Sequence, residues 1–385
     1  MNEVRETMIK ILGTAAFLFC TAVAVPAMGQ NFDEGSVAAR VEDHATALQG
    51  WRPLVEQRDA DAQSNPGVVY RYNRGVRQDY AQALSWYQLA AARGNARAQF
   101  NLGYMYEIGQ GVALDYTEAV DWYRLAAEQG NADAQSNLGV MYHYNRGVMR
   151  DYAEALDWYR LAAAQGNARA QFNLGVMYRD GHGVMQNYAE AVDWYRLATA
   201  QGDAVAQYSL GVMYFAGRGV TLDYVEAVSW YRKATGQGYA PAQYSLGVMY
   251  EIGQGVIQHY VVAVNWYRLA AAQGNARAQF NLGYMYEIGR GVTQDYAEAV
   301  SWYRLAAVQG NASAEYNLGV MYHDSRGVTQ DLVTAHMWIN ISGANGHSRV
   351  SDGRGMVEEG MTREQIAEAQ ALARRCMLSD YQDCS

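Results

Sequence analysis

The chain has 385 residues and a formal net charge of −9, and half of its residues are hydrophobic. That balance excludes nucleic-acid binding, which needs a basic stripe to displace counterions from phosphates. Lys10 and Lys233 are the only lysines, so positive charge is carried by arginine, which favours bidentate contact with carboxylates.

Residues 1–29 read as an export signal. Ile11 to Ala24 is an apolar run of 14 residues, too short to span a bilayer comfortably. Ala27-Met28-Gly29 then satisfies the small-x-small rule for cleavage before Gln30. The stretch before the run holds two acids and two bases, whereas a start at Met8 would leave the conventional Met-Ile-Lys. Phe19 before Cys20 is too bulky for a lipoprotein cleavage site, so no lipid anchor is expected. The expected mature protein is periplasmic or secreted, with no transmembrane segment after cleavage. Residues 30–59 follow as a degraded repeat capping the N-terminal end, with Asp43 to Leu48 resembling a second-helix start and Pro53 interrupting it.

From residue 60 the sequence repeats. Trp86, Trp122, Trp158, Trp194, Trp230, Trp266, Trp302 and Trp338 recur every 36 residues, and eight repeats occupy 60–347. A segment of this size cannot bury its own apolar face, so stacked neighbours must supply the partner surface. Within 96–131, Asn95 is suited to cap a first helix carrying Ala98, Leu102 and Met105 on one face. Gly109 and Gly111 end that helix. Asp115, with Glu118 three residues later, then opens a second helix through Ala119, Trp122 and Leu125, and Gly130 closes it. Gly103 and its equivalents predict close approach of the two helices. Trp122 and its equivalents are expected to be the large buried anchors, each worth about 3–5 kcal/mol on truncation. Of 31 tyrosines, 22 fall at the positions of Tyr106, Tyr116 and Tyr123, so aromatic richness belongs mostly to the scaffold.

The repeat 240–275 places His259 at the cap position and Val262 where glutamate stands elsewhere, predicting a second helix weaker at its start by about 1–2 kcal/mol. Pro241 is tolerable in a first turn. Residues 348–385 form the C-terminal helical cap. Thr362 and Gln365 make a capping box for a helix through Ile366, Ala369 and Leu372, whereas the glycine- and charge-rich 349–360 predicts no firm helix. Cys376 and Cys384 suit a disulfide in an oxidising compartment, the alternative being two free thiols.

The pattern Ala-x-Ala-Gln-x-Asn-Leu-Gly-x-Met-Tyr, then Gly-x-Gly-Val and Asp-Tyr-x-Glu-Ala-x-x-Trp-Tyr-Arg-Leu-Ala-Ala, is nearly whole in 96–131, 132–167 and 276–311. It resembles the Sel1-like repeat family, related to tetratricopeptide arrays. The resemblance implies an all-α fold, an α/α superhelical solenoid of eight repeats with helical caps, whose first helices line a concave surface. It also implies protein–protein interaction, in envelope signalling, envelope assembly or host contact. A cysteine-rich branch of the family is linked to penicillin binding, but no cysteine lies inside any repeat here, so that property does not carry over.

If Ala98, Leu102 and Met105 face the core, the residues between them face out. This second stripe, expected to line a partner-binding groove, comprises Arg97, Phe100, Tyr104 and Glu107, then Arg169, Phe172 and Arg179, then Tyr208 and Phe215. It continues with Tyr244 and Glu251, then Arg277, Phe280, Tyr284 and Glu287, and finally Tyr316 and His323. Aromatics flanked by arginine and glutamate suit a protein or peptide partner; the competing expectation is that the rings pack against the next repeat. The series Arg74, Arg146, Arg218, Arg290 and Arg326 in the turns reads as solvated, the alternative being contact with an acidic partner.

No nucleophile elbow, His-Glu-x-x-His, phosphate loop or Ser-x-x-Lys occurs, so neither catalysis, cofactor nor metal is expected. His143 and His323 share one repeat position, which argues against histidines converging. The expected function is therefore an exported, non-catalytic scaffold. A cell-wall or surface-glycan binding or processing protein is the alternative, and a β-lactam-active enzyme ranks last.

Overall fold

The computed structural model describes residues 60–72 and 77–384, so the expected signal, the N-terminal cap and Arg74 lie outside the described residues. Eighteen α-helices and no strand occur among them. The chain divides into two compact parts, one ending at Ala134 and one starting at Gln135. The first holds α1 (Ala60–Arg71), α2 (Tyr80–Ala91), α3 (Ala96–Ile108) and α4 (Tyr116–Glu128). Helix α5 (Ala132–Tyr144) spans the division, and α6 (Tyr152–Ala164), α7 (Ala168–Asp180), α8 (Tyr188–Ala200), α9 (Ala204–Ala216) and α10 (Tyr224–Thr235) follow. Next come α11 (Ala240–Ile252), α12 (Tyr260–Ala272), α13 (Ala276–Ile288), α14 (Tyr296–Ala307), α15 (Ala312–Asp324) and α16 (Leu332–Ala344). Two cap helices, α17 (Val350–Glu358) and α18 (Arg363–Leu378), complete the fold. Residues 350–358 are therefore helical despite their glycines, because α17 packs Val357 against Ala335 and Ile339.

Local chemistry starts and stops each pair as the spacing requires. Asn95 Oδ1 accepts from the Ala98 amide at 2.7 Å, and Gly109 ends α3 in the left-handed conformation at φ 66°. Asp115 Oδ1 accepts from the amides of Thr117 and Glu118 at 2.9 and 3.1 Å. The Asp115 amide donates back to the Tyr106 carbonyl, closing the turn. At Asn145 and Ser325 the chain enters the left-handed region without a glycine, at φ 59° and 57°. The second glycine of the turn serves a different need: a Cβ on Gly219 would lie 2.2 Å from the Tyr188 carbonyl oxygen of the preceding repeat.

The anchor of each pair is the residue after the tryptophan, a tyrosine in all but the last, where it is Ile339, and this corrects the expectation. Tyr123, Tyr159, Tyr195, Tyr267 and Tyr303 are fully buried, whereas Trp122, Trp194 and Trp302 are half-buried. One residue further along the helix turns the side chain by about 100°, which aims the tyrosine at the facing glycine. Cβ atoms added at Gly175 and Gly247 would meet the rings of Tyr195 and Tyr267 at 2.5 and 2.6 Å. The tryptophan instead covers the edge of the core shared by its own repeat and the one before it. Trp194 packs on the cluster of Tyr159, Ala162, Leu174 and Met177, which mixes α6 with α7. Burial between successive repeats is thus the physical content of the array. Trp338 is the exception at 6% exposed, enclosed by Ala373 and Cys376 of the cap.

A partly buried polar rail accompanies this core, one that sequence reasoning missed. Gln165 donates to Gln135, Gln201 to Gln171, and Gln273 to Gln243, each at 2.8 Å. Both glutamines recur with the 36-residue period, which was the available signal. In the last repeat the pair becomes Asn345 to Glu315, and Tyr381 of the tail also donates to Glu315 at 2.8 Å. A disulfide joins Cys376 to Cys384 and encloses Tyr381. The capping box of Thr362 and Gln365 is present at the start of α18.

Candidate interaction face

The face built by the first helices carries the second stripe, and its four positions differ in environment. At the first position Arg97, Arg169 and Arg277 are exposed, Arg169 donating to Asn137 Oδ1 at 2.9 Å. At the second, Phe172, Tyr208, Tyr244 and Phe280 are half-buried. Each rests on the core tyrosine of its own repeat, with ring centroids 5.7 to 5.9 Å apart. Phe100 does the same on Tyr123 at 5.8 Å. The rings therefore stand on the helix pair's own anchor and stay partly open to solvent.

At the third position Tyr284 is 40% exposed, while Tyr104 lies under the Arg71 guanidinium at 4.6 Å. The fourth position is tied inward. Glu107, Glu251 and Glu287 accept from the hydroxyls of Tyr123, Tyr267 and Tyr303 at 2.5 Å. Burial, reinforced by these carboxylates, pushes the Tyr267 and Tyr303 hydroxyls well above the ordinary tyrosine range. Arg179 forms a two-pronged pair with Asp180 at 2.7 Å, Phe215 packs on Tyr224, and His323 contacts Asp324 at 2.8 Å. Tyr316 departs from the expected exposed stripe: it is buried, stacked on His347 and covered by Gly353 of α17. The cap occupies that end of the face.

The turn arginines Arg218, Arg290 and Arg326 are exposed, and they also lie over the rings of Tyr188, Tyr260 and Tyr296 at 4.9 to 6.0 Å, where they brace successive repeats. One further reading is corrected. His143 and His182 do converge, Nε2 to Nδ1 at 3.3 Å, in a cluster with Tyr144 and Tyr152. Their separation of 39 is one period plus three, which brings the end of one first helix beside the next turn. Burial, with His182 and Arg150 near by, holds His143 down to about 4. His323, His336 and His347 contact three different partners. No group of three or more His, Cys, Asp or Glu side chains among the described residues is placed to hold a metal ion.

The Sel1 repeat family model matches 60–95, 96–131, 132–167, 168–203, 204–239, 240–275, 276–311 and 312–347. The chain belongs to the Sel1 repeat family. Sel1 repeat proteins are generally protein-interaction scaffolds. The fold is similar to that of a protective antigen present in uropathogenic Escherichia coli strains, which displays an SLR fold. Identity there is 32%, over 92% of this chain and 93% of that one, with a TM-score of 0.51. A Sel1 repeat protein from Oxalobacter formigenes is 33% identical over 62% of this chain and 96% of its own, with a TM-score of 0.59. No curated protein matches. Among the described residues no helix is long and apolar enough to cross a membrane.

Proposed function

We propose that this Sel1 repeat protein is an exported, non-catalytic scaffold that holds a protein or peptide partner against its first-helix face, in envelope signalling, envelope assembly or host contact. The observation that carries this reading is the support under the stripe. Phe172, Tyr208, Tyr244 and Phe280 are held on buried tyrosines, so little side-chain entropy remains to be lost on binding. Exposed Arg169, Arg277 and Tyr284 flank them, the residue types that dominate affinity in protein interfaces. Export is supported by the signal-like residues 1–29 and by the Cys376–Cys384 disulfide. The similarity to a protective antigen fits the same location.

Removing Phe172, Tyr208 and Tyr244 would also strip the cover from the core tyrosines, so that substitution confounds binding with stability. The test uses Arg169→Ala, Arg277→Ala and Tyr284→Ala together, in the full chain carrying a proximity-labelling enzyme in its native envelope. The partner labelled by the unaltered protein should be lost while the melting temperature stays within a few degrees. An undiminished partner in the triple variant refutes the face as the binding surface.

A further inference from the structure

The junction of the last repeat with the cap contains a polar pocket. At the position held by Val192, Val228, Val264 and Val300 in earlier repeats, the last repeat places His336, fully buried. A polar side chain at an apolar site requires partners, and two are built for it. Asn340 Nδ2 donates to His336 Nδ1 at 2.8 Å, which leaves Nε2 to donate to Glu358 Oε1 at 2.9 Å. Asn340 itself stands where Arg196, Arg232, Arg268 and Arg304 stand in other repeats. The chain has thus replaced an apolar residue and an arginine with a network reaching α17.

That network borders an open pocket of about 500 Å³ between α16, α17 and α18. Arg354 of α17 and Arg374 of α18 line it, and neither is in an ion pair among the described residues, although the adjacent Arg375 pairs with Asp383. Glu358 is the one carboxylate on the wall, and it is engaged by His336. Two forked guanidiniums against one occupied carboxylate leave net positive charge at the opening, in a chain whose overall charge is −9. Ala344, Ala373 and Met377 add an apolar surface beside it, and Gln370 a free amide.

We infer that this pocket binds the free C-terminal carboxylate of a peptide ending in an aliphatic residue. A planar carboxylate matches the guanidinium fork, and the apolar surface takes the last side chain. The Gln370 amide suits the terminal peptide group. The volume exceeds what acetate would fill, and Glu358 opposes a dianion such as phosphate.

Calorimetric titration of the full chain with the peptide Gly-Ser-Gly-Ser-Ala-Val tests this. The free acid should bind, and its C-terminal amide should bind about tenfold more weakly or not at all. Arg354→Gln and Arg374→Gln, both at exposed positions, should each weaken binding by about tenfold without moving the melting temperature. Glu358→Gln should tighten it, a sign that a merely structural role for the arginines would not produce. The inference is overturned if the acid fails to bind at millimolar concentration, if acid and amide bind alike, or if the arginine variants bind normally. Equal competition by inorganic phosphate would overturn the peptide assignment as well. None of these outcomes bears on the first-helix face.

Discussion

Substituting Gly175 by alanine probes the contact that sets the spacing of each helix pair. An ideal Cβ there would sit 2.5 and 2.6 Å from Cε1 and Cδ1 of Tyr195. Favourable carbon–carbon contacts lie near 3.5–4.0 Å, so the encroachment is about 1 Å. The ring cannot yield cheaply, being fully buried among Ala191, Val192, Leu210 and Met213. Overpacking of this kind costs about 1–3 kcal/mol, against a helix-propensity gain of about 1 kcal/mol from removing a glycine. With the overlap near 1 Å the cost falls in the upper part of that range, about 2–3 kcal/mol, so the expected net loss is about 1–2 kcal/mol. Gly355 in α17 is the matched control, since a Cβ there meets nothing within 4 Å and its φ is not left-handed. Gly355→Ala should therefore stabilise α17 by about 0.5–1 kcal/mol. Repeat arrays open in segments, so native-state hydrogen exchange is the appropriate measurement. Amides of 168–200 should exchange roughly five- to thirtyfold faster in Gly175→Ala, and those of 350–358 more slowly in Gly355→Ala. Both variants shifting in one direction, or an unchanged Gly175→Ala, would refute the assignment of tyrosine on glycine as the packing constraint.

Three further outcomes are expected. At the start of α12, His259 Nδ1 accepts only one long bond, 3.4 Å from the Val262 amide, where Asp295 accepts two at 2.9 and 3.0 Å. His259→Asp with Val262→Glu should recover about 1 kcal/mol and slow exchange in 256–266 to the level of 292–302; equal protection in the unaltered protein would end that reasoning. Burial raises the Glu315 carboxyl above its ordinary 4.5, so the folded chain keeps that proton longer than the unfolded chain does. Stability of the cap should fall as pH rises from 4.5 through the folded value, and Glu315→Gln, the residue of the other repeats, should flatten this in a urea titration monitored at several pH values. His143 has the opposite sign: held near 4 against an ordinary 6.5, it lets the unfolded chain take up the proton first. Repeats 132–203 should lose on the order of 3 kcal/mol as pH falls from 6.5 to 4, and a His143→Gln variant showing the same loss would place the cause elsewhere.

Much of the architecture was legible because it is local or periodic. Helix ends depend on the nearest few residues, so Asn95, Asp115 and Thr362 could be recognised as caps from spacing alone. The period of 36 forces neighbours to share a core, whatever their exact packing. Which aromatic fills that core was not legible. Trp194 and Tyr195 are both large and aromatic, the one recurring in all eight repeats and the other in seven, and only the facing glycine decides between them. Along the candidate face Arg169, Arg277 and Tyr284 are exposed, whereas Tyr316 is covered by the cap, which lies far from it in sequence. The sequence by itself therefore determined the repeat, its boundaries and the helices within it, since these follow from period and from contacts a few residues apart. Only the tertiary structure decided that His143 meets His182, that His336 reaches Glu358, and that Glu287 turns to Tyr303. Those pairings depend on how closely the helices approach, which sets whether side chains at a suitable spacing come within bonding distance.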